Sequence, residues 1–422
     1  MDILFVHGNY PAQFVHIVKV YAQSGHRVIF LTNREDPEVW PIEGVEVRRF
    51  DCHRKHSPDT HQYLRTAEMS VLKGQAVTRE LAKLIREGFC PQHVFFHLGN
   101  GLGLFLRHLL PHALIVGYAE WWFHDQQSRW LFDGYSFDQR LRVSMRNGMI
   151  LQELEVCDKA VTPTQWQWKQ FPASYQSKID VIFDGVDINL FQPRSIKSDL
   201  KLFGNALEMP LCISQDAVVL SYATRGMEPL RGFPEFMRML PSLLERFPNL
   251  QVVIAGQDRV AYSYSAPECD GSWKKYMLAE LQGVAGLDRV HFTGSLVYRE
   301  YQLLLCRSDL HVYFTRPYVT SWGLFQAAAS GAHLMVNRDP AITYVLKEHQ
   351  ALWVDLDDQE ALAQSAAEWL AGSKERRNAV RSSLLLPEWE LQSCLKTWEN
   401  WINRLPSSVS SAGQNAGISE IN

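Results

Sequence analysis

Two arginines six residues apart, Arg225 and Arg231, follow the apolar run Val218–Ala223 and lie in the segment Thr224 to Pro234, where a helix is expected to begin. Guanidinium groups at such a turn can converge on a diphosphate, aided by the helix dipole, and can stabilise a pyrophosphate leaving group as its charge develops. Two solvated arginines on a surface loop would leave the same trace. His97 ends another apolar run and is followed by Gly99, Asn100, Gly101, Leu102 and Gly103. A strand-end histidine beside a glycine loop can hydrogen-bond a reacting hydroxyl, and it can equally be structural. The spacing of these glycines is not that of a dinucleotide fingerprint. Glu120 precedes Trp121, Trp122 and Phe123; a carboxylate beside an aromatic wall suits carbohydrate, and the same residues could equally form a core aromatic cluster with Glu120 bonded to a neighbouring Arg. The turn His7 to Phe14, with Tyr10 and Gln13, can hold a phosphate or sugar hydroxyl at a helix start, or be an ordinary strand-to-helix turn. The block Ser308–Gly331 places an apolar strand, a Pro-aromatic loop and an Ala-rich helix start in immediate succession.

These residues all follow short apolar runs, so the elements that carry them are predicted to be strands of parallel sheets. In the first half, strands are expected at Ile3–Val6, Arg27–Thr32, Val45–Arg48, His93–His97, Leu114–Tyr118, Lys159–Thr162 and Val181–Phe183, with helices at Thr66–Glu87 and Phe137–Glu155. After the polar, less regular segment Gln192–Asp216 the pattern restarts. Strands are expected at Val218–Ala223, Leu250–Ala255, Val290–Thr293, Leu310–Phe314, His333–Val336 and Leu352–Val354, alternating with helices at Phe233–Arg246, Trp273–Ala285, Tyr298–Arg307, Leu324–Ser330 and Glu360–Ala371. The fold class is α/β, with two doubly wound parallel sheets. The expected domains are residues 1–200, 201–386, a terminal helix within 387–405, and a Ser/Gly/Asn-rich tail 406–422 predicted to be disordered. Helix Glu388–Asn403 carries Trp389, Leu391, Leu395, Trp398, Trp401 and Ile402 largely on one face, which must pack on something large.

Composition narrows the function classes. At 422 residues with 46% hydrophobic residues, the chain is expected to divide into two domains, being longer than a single core holds. A formal charge of -4 and a pI near 6.4 leave no global footprint for nucleic acid. Seven scattered cysteines without a CxxC, and histidines without HExxH, argue against a disulfide framework or a zinc site. No apolar run is long enough to span a bilayer and the start lacks a leader pattern, so a cytoplasmic location is expected, with peripheral contact at the inner membrane face left open.

Six segments, in order, resemble glycosyltransferase family 4, over nearly residues 1–405: ILFVHGNYPAQF, HLGNGL, GYAEWWF, the pair TPTQWQ and FDGVDINLFQP, RGMEPLRGFPEFMRMLP, and SDLHVYFTRPYVTSWGLFQAAASG. They are closest to a subgroup with an HPGWGE-like loop. The resemblance implies a GT-B fold, with the two sheets facing across a cleft and the terminal helix crossing back to the first domain. It also implies a retaining, metal-independent transferase that takes its sugar from a UDP- or GDP-sugar co-substrate and uses no cofactor. By position, Arg225 and Arg231 would hold the donor diphosphate, Leu296 would lie beside the base, and Tyr318, Val319, Thr320, Ser321 and Trp322 would lie along the sugar and phosphates. His97 would stand near the reaction centre, with Glu120, Gly99, Asn100, Gly101, Tyr10 and Gln13 on the side of a glycan, lipid-linked or small-molecule acceptor. The sequence departs from the family at Tyr318 and Gln326, which stand where a Glu-x7-Glu pair is usual, and at Leu102, which replaces the loop acid. An aromatic residue at the first of these is a habit of the subgroup. Gln326 can still accept one ribose hydroxyl, more weakly than a carboxylate. The alternative reading is a partner subunit that binds a nucleotide sugar or glycan without transferring.

Overall fold

The structure, a computed structural model, describes residues 1–196, 198–377 and 379–405; the expected disordered tail lies outside the described residues. The chain divides into two compact units. The first comprises residues 1–126, 136–185 and 392–405, the second 127–135 and 186–391.

In the first unit, seven strands form one parallel sheet: β1 Asp2–His7, β2 Arg27–Thr32, β3 Val45–Arg49, β4 Pro91–His97, β5 Leu114–Tyr118, β6 Lys159–Thr162 and β7 Ile179–Val181, in the order β3-β2-β1-β4-β5-β6-β7. Strands buried on both faces read as continuous apolar runs, and Ile3, Leu4, Phe5 and Val6 are all fully buried. Phe5 stacks between Phe30 and Phe95 at 6.0 and 5.0 Å. Helix Leu391–Ile402 adds Trp398 to this core, and Trp401 donates its indole N–H to Asp180 of β7 at 2.8 Å.

The second unit opens with a small antiparallel hairpin, β8 Leu200–Leu202 and β9 Leu211–Ile213. It lies inside the segment expected to be irregular. Three-residue strands are too short to show alternation, and only packing of Leu200, Leu202 and Ile213 against Val219 and Val253 reveals them. Six parallel strands follow: β10 Val218–Gly226, β11 Leu250–Gln257, β12 Val290–Gly294, β13 Leu310–Tyr313, β14 Leu334–Asn337 and β15 Ala351–Val354, ordered β12-β11-β10-β13-β14-β15.

The expected helix Phe233–Arg246 breaks at Met239 into Phe233–Arg238 and Leu240–Arg246, because Pro241 has no amide to continue the ladder. The predicted terminal helix also divides. Pro387–Trp389 is a short 3-10 turn of the second unit, where Trp389 packs edge-on against Phe325 at 5.1 Å, and only residues from 392 onward belong to the first. Residues 127–135 were not expected to leave the first domain. They belong to the second unit, where Arg316 stacks 4.0 Å above the Trp130 ring and the Ser263 hydroxyl donates to the Trp130 carbonyl at 2.6 Å.

Candidate functional site

Each sheet has one place where strand order reverses, and ligands of open α/β sheets bind there, beyond the strand carboxyl ends. In the first unit this is between β1 and β4, and in the second between β10 and β13. The loops leaving these four strands carry most of the residues singled out from the sequence.

At the first switch point, His7 ending β1 and His97 ending β4 meet edge to face at 4.7 Å. His97 Nε2 lies 3.3 Å from Glu120 Oε2, beyond β5, and the Gln13 amide donates to the other oxygen, Oε1, at 2.8 Å. Burial acts to raise the Glu120 pKa, but the bonds and charge of His97, with Gln13 and His7, outweigh it and hold the carboxyl down at about 2. Glu120 is only half-buried, so this ionised acceptor can face a ligand hydroxyl.

The loop Gly99–Gly103 wraps behind His97. Gly101 has φ +81°, and a Cβ there would stand 2.1 Å from the Ser70 carbonyl oxygen, so no other residue fits. Beneath the loop sits Glu153, fully buried on helix Phe137–Val156, accepting the amides of Gly99 at 2.5 Å and Gly103 at 2.8 Å. Burial pushes its carboxyl up to about 7, against the pull of those amides and of His97. Leu102, where the resembled loop carries its acid, is buried in the core with Ile150 and Leu154. The carboxylate at this loop is therefore supplied from a helix. Tyr10, expected on the acceptor side, is a core residue instead, 1% exposed and edge-on to Phe30 at 4.8 Å.

At the second switch point the chemistry is cationic. Arg231 is buried, donating to the Thr315 hydroxyl beyond β13 at 2.8 Å. Gly232, with φ +64°, lets the chain pass β13: a Cβ there would lie 2.6 Å from Phe314 Cβ. Burial works against the Arg231 charge, but the surrounding oxygens of Tyr313, Tyr262, Glu228 and Tyr318 outweigh it and raise its pKa. Arg225 is exposed and donates to the Tyr262 hydroxyl at 3.0 Å, while Tyr262 faces Tyr318 at 5.3 Å. Tyr262 thus links both arginines to the Pro-aromatic loop, and nothing in its own sequence context marks it.

Glu228, like Glu153 and Tyr262, was not singled out from the sequence. Fully buried, its Oε2 accepts three consecutive amides, Ala261 at 2.8 Å, Tyr262 at 2.9 Å and Ser263 at 3.0 Å, fixing the turn that presents Tyr262. Beyond β13, Val319 and Thr320 are buried, the Thr320 hydroxyl donates to the Ala341 carbonyl at 3.3 Å, and the Ser321 hydroxyl caps helix Trp322–Ala329 through Gly323 N–H at 3.2 Å. Those side chains hold the loop's own shape. Trp322 and Gln326 are half-buried on that helix, and Leu296, half-buried beyond β12, packs with Val219 and Leu304. Among the described residues no three His, Cys, Asp or Glu side chains are grouped so as to hold a metal ion, and no helix is long and apolar enough to cross a membrane.

Two doubly wound parallel sheets, each with its loops gathered at one switch point, make this a protein of the GT-B fold. Residues 24–191 match the family described as Glycosyl transferase family 4 group. Among solved structures, the chain is similar to the UDP-forming alpha,alpha-trehalose-phosphate synthase from Burkholderia vietnamiensis, with a TM-score of 0.64 and 14% identity, covering 96% of this chain and 100% of that one. It is similar to sucrose-phosphate synthase from Thermosynechococcus elongatus, with a TM-score of 0.63, 14% identity and coverage of 96% and 98%. It is also similar to Anabaena HepE in complex with UDP-glucose, with a TM-score of 0.62, 12% identity and coverage of 96% and 100%. No curated protein sequence matches the chain.

Proposed function

We propose that the protein is a retaining, metal-independent glycosyltransferase that moves a sugar from a UDP- or GDP-sugar to a hydroxyl of a glycan, a lipid-linked glycan or a small-molecule acceptor. The observation that carries this reading is the pairing of Arg225 and Arg231 through Tyr262 at the second switch point, beside the loop Tyr318–Ser321. Two guanidinium groups converging there suit a diphosphate. The buried, low-dielectric position of Arg231 also strengthens its hold on charge that develops as it leaves. The likeness to proteins whose solved complexes include UDP-glucose supports the same class of donor.

In this reading the bond between the sugar's anomeric carbon and the diphosphate oxygen breaks, with the negative charge received by Arg225 and Arg231. The acceptor oxygen bonds to the same face of that carbon and its proton passes to the departing phosphate, so no protein base is required. Leu296 lies beside the base and Gln326 accepts a ribose hydroxyl, while Val319, Thr320, Ser321 and Trp322 shape the donor loop. His97 and Glu120 orient the acceptor hydroxyl, with Gln13 and the loop Gly99, Asn100 and Gly101 around it. We place the reaction in the cytoplasm or at the inner face of the membrane.

The deciding experiment screens nucleotide sugars by thermal shift, since a ligand that binds only the folded chain must raise its melting temperature, and then measures transfer with representative acceptors. Turnover of at least one donor that disappears in Arg225→Ala/Arg231→Ala is expected. Binding without turnover across the panel would replace the proposal with a nucleotide-sugar-binding partner subunit, the role that the neutral Gln326 would favour.

A further inference from the structure

At the other end of the second sheet, around the amino ends of β10 and β13, lies a cavity of about 1050 Å³ lined by Arg194, Arg307, Lys374, Arg377 and Arg381, with Asp216 as its acid. The length of β10, roughly 25 Å at the usual rise per residue, separates it from Arg225. Directly beneath, the buried carboxylate of Asp309 lies 3.4 Å from Arg307 and 2.7 Å from Arg377. Five cationic side chains thus face two carboxylates.

The guanidiniums are held in place. Arg307 donates to the carbonyls of Ser214 and Gln215, both at 3.1 Å, and of Ala217 at 2.6 Å. Arg377 reaches the same Ala217 oxygen at 2.7 Å, and Arg381 donates to the Ser308 carbonyl at 2.8 Å. Burial draws Arg307 and Arg381 below the usual arginine range, with Asp309 opposing it and, by a smaller effect, the positive charge of Arg377 adding to it. Like charges fixed in a partly dry cavity repel, and an anion that enters relieves the repulsion at little ordering cost. Planar guanidiniums match phosphate oxygens in geometry as well as charge.

We propose that this cavity binds a multiply charged phosphate ester, at a site separate from the diphosphate site at Arg225 and Arg231. Its volume exceeds that of inorganic phosphate and admits a phosphorylated small molecule or a phosphorylated lipid headgroup. The proposal does not depend on the protein being a transferase.

The test uses the full chain, with inorganic pyrophosphate as probe and sodium chloride at matched ionic strength as control, since exposed charges are screened by salt. An Arg225→Ala background removes one phosphate ligand of the other site. In that background pyrophosphate is expected to raise the melting temperature. The further changes Arg194→Glu and Lys374→Glu, both at exposed positions of the cavity rim, are expected to weaken binding at least tenfold, with the shift read against each variant's own melting temperature without pyrophosphate. A second arm measures sedimentation with phosphatidylcholine vesicles containing phosphatidic acid. Vesicle binding lost in the same rim variant assigns the site to a headgroup, and its absence beside a pyrophosphate shift assigns it to a soluble ester. No shift in the Arg225→Ala background, or a shift that survives both rim substitutions, overturns the proposal.

Discussion

The two switch points solve one structural problem with the same residue type and opposite electrostatics. In each, a fully buried glutamate gathers backbone amides of a neighbouring loop: Glu153 takes Gly99 and Gly103, and Glu228 takes Ala261, Tyr262 and Ser263. Glu228 does so three residues from Arg231, whose guanidinium lies within its field. Glu153 lies under its glycine loop near His97, and burial pushes it up to about 7. One loop is therefore built on a charge that is compensated, the other on a charge that costs free energy to keep. That contrast fits the roles proposed for the two switch points, an anion at the second and a neutral hydroxyl at the first.

The largest effect expected from breaking the contrast is at the cationic site. Replacing Arg231 with Ala removes the bond to Thr315 and, in the proposed reaction, one of the two charges on the diphosphate. Turnover should fall at least a thousandfold, about 4 kcal/mol of transition-state stabilisation, while loss of less than tenfold in steady-state kinetics would remove Arg231 from the chemistry. Next, Glu228→Ala leaves three amides without their acceptor and should cost roughly 2–4 kcal/mol in urea unfolding. Glu228→Gln, which keeps an acceptor oxygen, should cost less than half as much. Equal losses in the two variants would mean that the carboxylate's charge, not its bonds, holds the turn.

Glu153 supplies a test of sign. Its pKa is raised in the folded chain from about 4.5 to about 7, so its favourable contribution is complete below the lower value and is lost as pH rises through the upper one. Relative to Glu153→Gln, which does not titrate, the wild type should lose roughly 3 kcal/mol between about pH 5 and about pH 8. A stability difference that is flat with pH would show the carboxyl to be stabilised as the anion by the loop amides. The smallest effect is expected at Gln326. A carboxylate there restores a charge-assisted bond to ribose, so Gln326→Glu should lower the donor KM about fivefold. An unchanged KM would separate Gln326 from the ribose.

How much of this was legible from the residues differs by element. β2, β5 and β6 lie at the residues expected, since strands buried on both faces write themselves as apolar runs. The hairpin β8–β9 was hidden, because three residues carry no period. His97, Gln13, Glu120, Arg225 and Arg231 announced themselves by position after a strand, and the structure joins the first three in one hydrogen-bonded group and links the arginines through Tyr262. Glu153 left one trace, an acid beside the apolar Ile150 and Leu154 of its helix. Glu228 left none, for its partners are backbone amides, which every residue possesses.

The sequence alone thus determined the two parallel sheets and which of their strand ends hold polar side chains, because periodicity and composition are local properties. Tertiary structure decided which of those ends meet, that Tyr10 is core, that residues 127–135 belong to the second unit, and that arginines beyond the amino ends of β10 and β13 surround one buried Asp309. Those outcomes rest on close approach between distant segments and on the loss of water around charges, and neither exists until the chain has folded.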